Sequence, residues 1–309
     1  TRWLHLAVPV IMVAPLTAQD VGFEGPGFTG AGATPTESKP ENKLWFNDGI
    51  WWGSLWSTSG NAFHISGLDQ RTHVWSDTGV LIESRPGSKS DVLWDGTKLY
   101  VASHQGSSNG GAIGNPILIL RYSYDAGTDT YSPDAGFPVT IGSYSTESMV
   151  IDKDSTGTVW AAWMQNRRVH FAHTLGGSDL VWTAPAILPV STTDVSTDDV
   201  CSLAHFGGNR IGVMWSDQVL DNIEFAFHDD GQLDSVWNLE TALAGESDDH
   251  MNLASDADGR VFATVKNVFN ELKLLVRDDG VWSQYLISTG IDRFTRPILL
   301  LDEESRTIH

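Results

Sequence analysis

The chain has one cysteine, Cys201, in 309 residues, so no intramolecular disulfide can staple it. Its fold must rest on buried apolar surface and sheet hydrogen bonds. Cys201 lies between Val200 and Ser202 in an apolar run and reads as a buried thiol, not a nucleophile. Basic side chains are scarce, 19 against 39 acidic ones, for a formal charge of −20. Such a field repels DNA, RNA and anionic membranes, which argues against a nucleic-acid partner and for a strongly solvated surface. Past residue 19 no segment repeats apolar residues at helical three- and four-residue spacing, and none is apolar for long enough to span a membrane. Aromatics, in contrast, are plentiful. Thirteen Trp and a hydrophobic content of 41% argue for a packed core and not a disordered acidic chain.

The first eighteen residues stand apart. Arg2 is followed by an apolar run from Trp3 to Leu16 and then by Thr17 and Ala18. A basic start, a short greasy segment and a small-residue exit form the pattern of a secretory signal peptide, so export to an extracellular or periplasmic space is expected. Residues 19–42 are rich in Gly, Pro, Thr and Glu and read as a linker or extended entry segment.

From Lys43 a pattern recurs: apolar strand, tight turn, second apolar strand, loop, third strand, turn, and a fourth strand led by an aromatic. The second strands contain Trp51–Trp56, Leu99–Ser103, Val159–Trp163, Ile211–Trp215 and Val261–Val265. Glycine-bearing turns precede them: Asp48-Gly49, Asp95-Gly96, Ser155-Thr156-Gly157, Gly207-Gly208 and Asp258-Gly259. Such turns between apolar runs are a strong hairpin signal. The fourth strands open on Trp75, Tyr131, Trp182, Trp237 and Trp282, and the first strands near Lys43, Asp91, Glu147, Asp199, His250 and Arg296. Both landmarks recur every 45 to 56 residues. Four strands per unit at this period predicts an all-β fold, a β-propeller of four-stranded antiparallel blades over residues 43–309. Five blades are complete and a sixth begins at Arg296, so six blades are expected, with seven as the alternative and the last blade cut short.

Equivalent positions on neighbouring blades of a propeller form a ring at one mouth of the central channel, where ligands commonly sit. Alignment places Lys43, Asp91, Glu147, Asp199, His250 and Arg296 in that ring, with acids on one half and basic groups on the other. Isolated charges are costly to bury, so these six should face water or one another. The loops after the second strands add His104, Gln165, Arg167, Asp217 and Lys266, and Trp56 could stack on a sugar ring. No pair of histidines has a zinc spacing with a third ligand, so no catalytic metal is expected. Asp198-Asp199 and Asp248-Asp249 could hold a structural calcium, although full calcium-loop spacing is lacking.

Acid, glycine and an aromatic recur in the turns between third and fourth strands: Asp229-Asp230-Gly231 before Trp237, Asp278-Asp279-Gly280 before Trp282, and Gly176-Gly177-Ser178-Asp179 before Trp182. These resemble the Asp-box turns of sialidase-like propellers, though the Ser-x-Asp-x-Gly-x-x-Trp form is nowhere complete. The resemblance covers about residues 43–301 and implies a fold, not an activity. Sialidases grip a carboxylate with three arginines and use a Tyr–Glu pair; only Arg296 falls in the ring here, and no tyrosine does. Secreted polysaccharide lyases similar to this chain use His, Tyr and Arg, for which His104, His250, Tyr100 and Arg296 are the available analogues.

The leading expectation is therefore a non-catalytic module recognising a glycan at the channel mouth. An anionic glycan would be held by Arg296, Lys43, Lys266 and Arg167. The alternative is a carbohydrate-active enzyme on the same face. A lyase would use His250 or His104 as base, and a hydrolase two of Asp91, Glu147 and Asp199.

Overall fold

The structure is a computed structural model that describes residues 25, 27–32, 35–36, 39–107, 112–191, 193–291 and 293–309. The expected signal peptide lies outside the described residues. The architecture is all-β, and no helix among the described residues is long and apolar enough to cross a membrane.

Five antiparallel sheets follow one another, each with its strands in chain order. Blade one comprises Leu44–Asn47, Ile50–Ser57, Ala62–Asp69 and Val74–Glu83. Blade two comprises Ser88–Trp94, Lys98–Gln105 and Ile113–Asp125, with its outer strand split into Thr130–Pro133 and Val139–Tyr144. Blade three comprises Met149–Lys153, Val159–Gln165 and Arg168–Leu175, with outer pieces Ser178–Trp182 and Ala186–Ile187. Blade four comprises Cys201–Phe206, Arg210–Asp217, Asn222–Asp229 and Asn238–Ala244, and blade five Met251–Ser255, Val261–Lys266, Leu272–Asp278 and Val281–Ser288. A two-stranded hairpin, Leu301–Asp302 with Thr307–Ile308, follows. The first strands of blades one to five lie side by side in sequence, and those of blades two to five line a central channel. This is the predicted propeller of four-stranded blades.

The period-two geometry of a strand explains why the second strands are apolar throughout. In Val159–Gln165, Ala161 and Trp163 pack toward blade two with Tyr100, Ile117 and Met149, while Trp160, Ala162 and Met164 pack toward blade four with Cys201, Val213 and Trp237. Each interior blade is buried on both faces, so alternation disappears from its sequence. The same arrangement recurs between blades one and two and between blades four and five. Each fully buried Ile, Val, Leu or Phe contributes about 1.5–3 kcal/mol, and these four inter-blade cores hold the ring together. Local turns fit the pattern. Asp48 and Gly49 both have positive φ, 52° and 75°, as a two-residue type I′ hairpin requires. Cys201 is fully buried in the core between blades three and four, as its sequence setting predicts.

Candidate functional site at the channel mouth

Residues 39–43 are not an idle tether. They run as a strap across the mouth of the channel and into the first strand of blade one. Charged side chains alternate along it, Lys39, Glu41 and Lys43, with Pro40 and Asn42 between. Pro40 accepts a hydrogen bond from Asn252 Nδ2 in blade five, and Asn42 N donates to Asp91 in blade two (2.6 Å). Pro40 and Asn42 also cap a chamber of about 160 Å³ lined by Asp91, Asp152, Ser202, Asn252 and Ser255 from four blades.

Two charge clusters flank this strap. In the first, Glu41 accepts from His104 Nε2 (2.6 Å), Lys43 Nζ (2.7 Å) and the Met149 backbone N–H (2.9 Å). Lys43 also donates to the Ser90 carbonyl. Glu41 and His104 side chains have no exposed surface. Burial works against the Glu41 carboxylate, but Lys43 and His104 outweigh it and hold its pKa well below the usual range.

The second cluster joins three blades. Ligand oxygens of Glu147, Asp198 and Asp249 all lie within 4.8 Å of one another. Lys39 Nζ bonds Glu147 Oε1 (3.0 Å) and Asp249 Oδ2. His250 Nδ1 meets Asp248 (2.5 Å) and Asp249 (2.7 Å), and Lys266 Nζ meets Asp248 (2.8 Å). Burial raises the pKa of Glu147 despite Lys39. Burial and then the Asp249 charge raise that of Asp198. Hydrogen bonds from His250 and Lys39 overcome burial at Asp249 and hold it ionised far below the ordinary range. At His250, burial is outweighed by the bonds to Asp248 and Asp249, which raise its pKa despite the nearby Lys39 charge. Glu147 Oε2 is sealed from solvent and accepts no hydrogen bond. Beside it lies a cleft of about 20 Å³ lined by Gln165, Asn166, Arg167, Ser196, Thr197 and Asp199, among others.

The six strand-opening residues do not stand at one level. Glu147, Asp199 and His250 precede their strands, which start at Met149, Cys201 and Met251. Asp91 is mid-strand opposite Ala102, because the first strand of blade two runs from Ser88 to Trp94 before its turn. Asp91 therefore faces the chamber, accepting from Asn42 N and Ile151 N, and burial pushes its pKa up to about 8. Asp199 accepts from the Ser196 and Gln218 backbones, and burial pushes it up to about 6. Arg296 is exposed, with φ of 53°, in an irregular segment ahead of Leu301.

The loop residues divide. Gln165 and Arg167 line the cleft with Glu147 and Asp199; Gln165 accepts from Trp163 Nε1 and Arg167 donates to the Val195 carbonyl. Asp217 is buried and accepts from Val219 and Leu220 N–H groups in its own turn. Trp56 is 3% exposed, its ring against Phe63 and its Nε1 bonded to the Thr29 carbonyl, so no face is open to stack on a sugar. Sequence reasoning passed over Lys39 and Glu41, although their period-two alternation with Lys43 was the available signal. It noted Asp198 and Asp249 only as acid pairs, because their convergence needs three blades.

No protein-family model matches the chain, and no curated protein matches it. Solved structures do. The periplasmic gluconolactonase of Pseudomonas aeruginosa aligns with a TM-score of 0.56 at 12% identity, over 81% of this chain and 72% of that one. A putative 6-phosphogluconolactonase from Bacteroides uniformis aligns at 0.52 and 13%, over 82% and 78%. An alpha-L-arabinofuranosidase from Podospora anserina aligns at 0.41 and 12%; the match takes in 63% of this chain and 65% of that chain's length. At these identities the likeness is one of fold. The chain is a β-propeller. The likeness supports the propeller class and does not single out its sialidase type.

Proposed function

We propose that the propeller is a carbohydrate-active hydrolase working at its strap-side mouth, outside the cytoplasm. The observation that carries this is the convergence of Glu147, Asp198 and Asp249 from three blades beside a cleft rich in hydrogen-bonding side chains. Carboxylates brought this close can take a proton from an attacking water and stabilise positive charge developing on a sugar carbon. Two propellers of similar fold are named for hydrolysis of sugar lactones, which agrees with this class. Elimination fits less well, since His104 is buried against Glu41.

A neutral substrate fits better than a uronate, because Lys39, Lys43 and Lys266 each pair with a carboxylate, while Arg167 on the cleft wall engages the Val195 carbonyl. A second reading, glycan recognition without catalysis, is favoured by one observation. Lys39 already bridges two of the three carboxylates, and the adjacent cleft has room for about one water. The protein is to be incubated with sugar lactones and with neutral and uronate-containing polysaccharides, reading lactone opening, reducing ends and unsaturated-sugar absorbance. Hydrolysis of a neutral substrate that falls about 100-fold or more in Glu147→Gln and Asp249→Asn is expected. Retained glycan binding with silence in every channel would leave the recognition reading.

A further inference from the structure

We propose that the Lys39 end of the strap is an autoinhibitory contact, a plug on the carboxylates of the mouth that a substrate has to displace. The inference rests on the hydrolase reading and names how that site is regulated. Size gives the first argument. The cleft beside Glu147 has about 20 Å³ of room, enough for one water. Pockets that enclose small-molecule ligands hold about 300–1,000 Å³, so the mouth is shut and part of it must move before a sugar can enter. Lys39 is the part in the way. Its ammonium bonds Glu147 Oε1 (3.0 Å) and Asp249 Oδ2, two of the carboxylates assigned to hydrolysis. One residue further on, Pro40 helps cap the chamber of about 160 Å³. Lifting this dipeptide frees both carboxylates and uncovers part of the chamber.

The strap is fastened unevenly, which lets one end lift while the other holds. Over Glu41–Lys43 the Glu41 side chain is sealed from solvent and accepts from His104, Lys43 and the Met149 N–H. Asn42 N donates to Asp91 (2.6 Å), and the Lys43 carbonyl accepts from Ser54 N (2.9 Å), which ties this part into blade one. Lys39 and Pro40 lie outside that clasp. Proline has no N–H to donate, and among the described residues the one backbone hydrogen bond of this pair runs from Asn252 Nδ2 to the Pro40 carbonyl (3.2 Å). The ion pairs of Lys39 supply the rest of the hold. Those pairs are reversible, and their carboxylates become free to meet substrate hydroxyls once the ammonium leaves.

The test compares the full wild-type chain with Lys39→Met, which removes the ammonium and keeps an unbranched side chain. Turnover is followed on gluconolactone and on a neutral xylan. In Lys39→Met, kcat/KM should rise about tenfold, mainly through a lower KM, because binding is no longer reduced by the small fraction of molecules with an open mouth. Lys39→Arg, which keeps the charge, should stay near wild type. Added salt should raise wild-type turnover and leave Lys39→Met unmoved, since screening weakens only the pairs that hold the plug. A Lys39→Met chain with an unchanged thermal midpoint and turnover equal to or below wild type would overturn the plug and leave the hydrolase reading in place. So would wild-type turnover that ignores salt. Silence from both chains on every substrate would bring down the hydrolase reading, and this inference with it.

Discussion

The two charge clusters under the strap have similar ingredients and opposite balance. Around Glu41, one carboxylate faces a lysine, a histidine and a backbone N–H, and its strong acceptors are met. Around Glu147, three carboxylates share one lysine and one histidine, and an oxygen is left over. The first is a clasp that fastens the entry segment to blades two and three. The second carries a surplus that a closed structural clasp would not need. A buried carboxylate that is fully paired stays ionised, whereas crowded carboxylates raise one another's pKa, as at Glu147 and Asp198.

The comparison is best broken by neutralising one carboxyl in each cluster. Glu41→Gln should be the most damaging change, because it leaves Lys43 charged and buried without its partner. A loss of about 3–5 kcal/mol, read from the urea midpoint, is expected. Glu147→Gln should cost less than about 1 kcal/mol, since relief of carboxylate repulsion offsets the weakened Lys39 bridge. Equal losses at the two positions would erase the distinction.

Acidity separates Glu41 from Asp91, its neighbour across the strap. The folded pKa of Glu41 is depressed, so its contribution is present above the ordinary carboxylate range and is lost as pH falls. Asp91 has the opposite sign. Its folded pKa is raised from 3.8 to about 8, so stability is lost as pH rises through that window. Asp91→Asn should therefore flatten the decline in thermal midpoint between about pH 4 and 8 while leaving the acid limb in place. A purely local effect is expected away from both clusters. Asp217→Ala removes acceptors for Val219 and Leu220 N–H groups and should cost about 1 kcal/mol by urea denaturation, with no change at the mouth.

Much of the fold was legible in the chain. Apolar second strands such as Val159–Gln165 and the Asp48-Gly49 turn declare themselves locally, and their repetition implies blades. The site was legible only in part. Glu147 and Asp199, which open their strands, and Gln165 and Arg167, which follow one, do come together at one cleft. Asp91 was placed at the same level as these, yet blade two has a longer first strand, which carries Asp91 into the chamber. Trp56 looked available for stacking because a strand end says nothing of what covers it, and residues near Thr29 do.

Composition and periodicity thus determined the all-β blades, the absence of disulfides and the acidic surface, since each depends on residues near one another in the chain. Only the tertiary structure decided which charges meet. Lys39 and Asp249 are separated by most of the polypeptide, and Glu147 and Asp198 by a whole blade. Pairing at such distances depends on how the blades are arranged around the channel and on strand register, where a shift of one residue turns a side chain from the channel to the core.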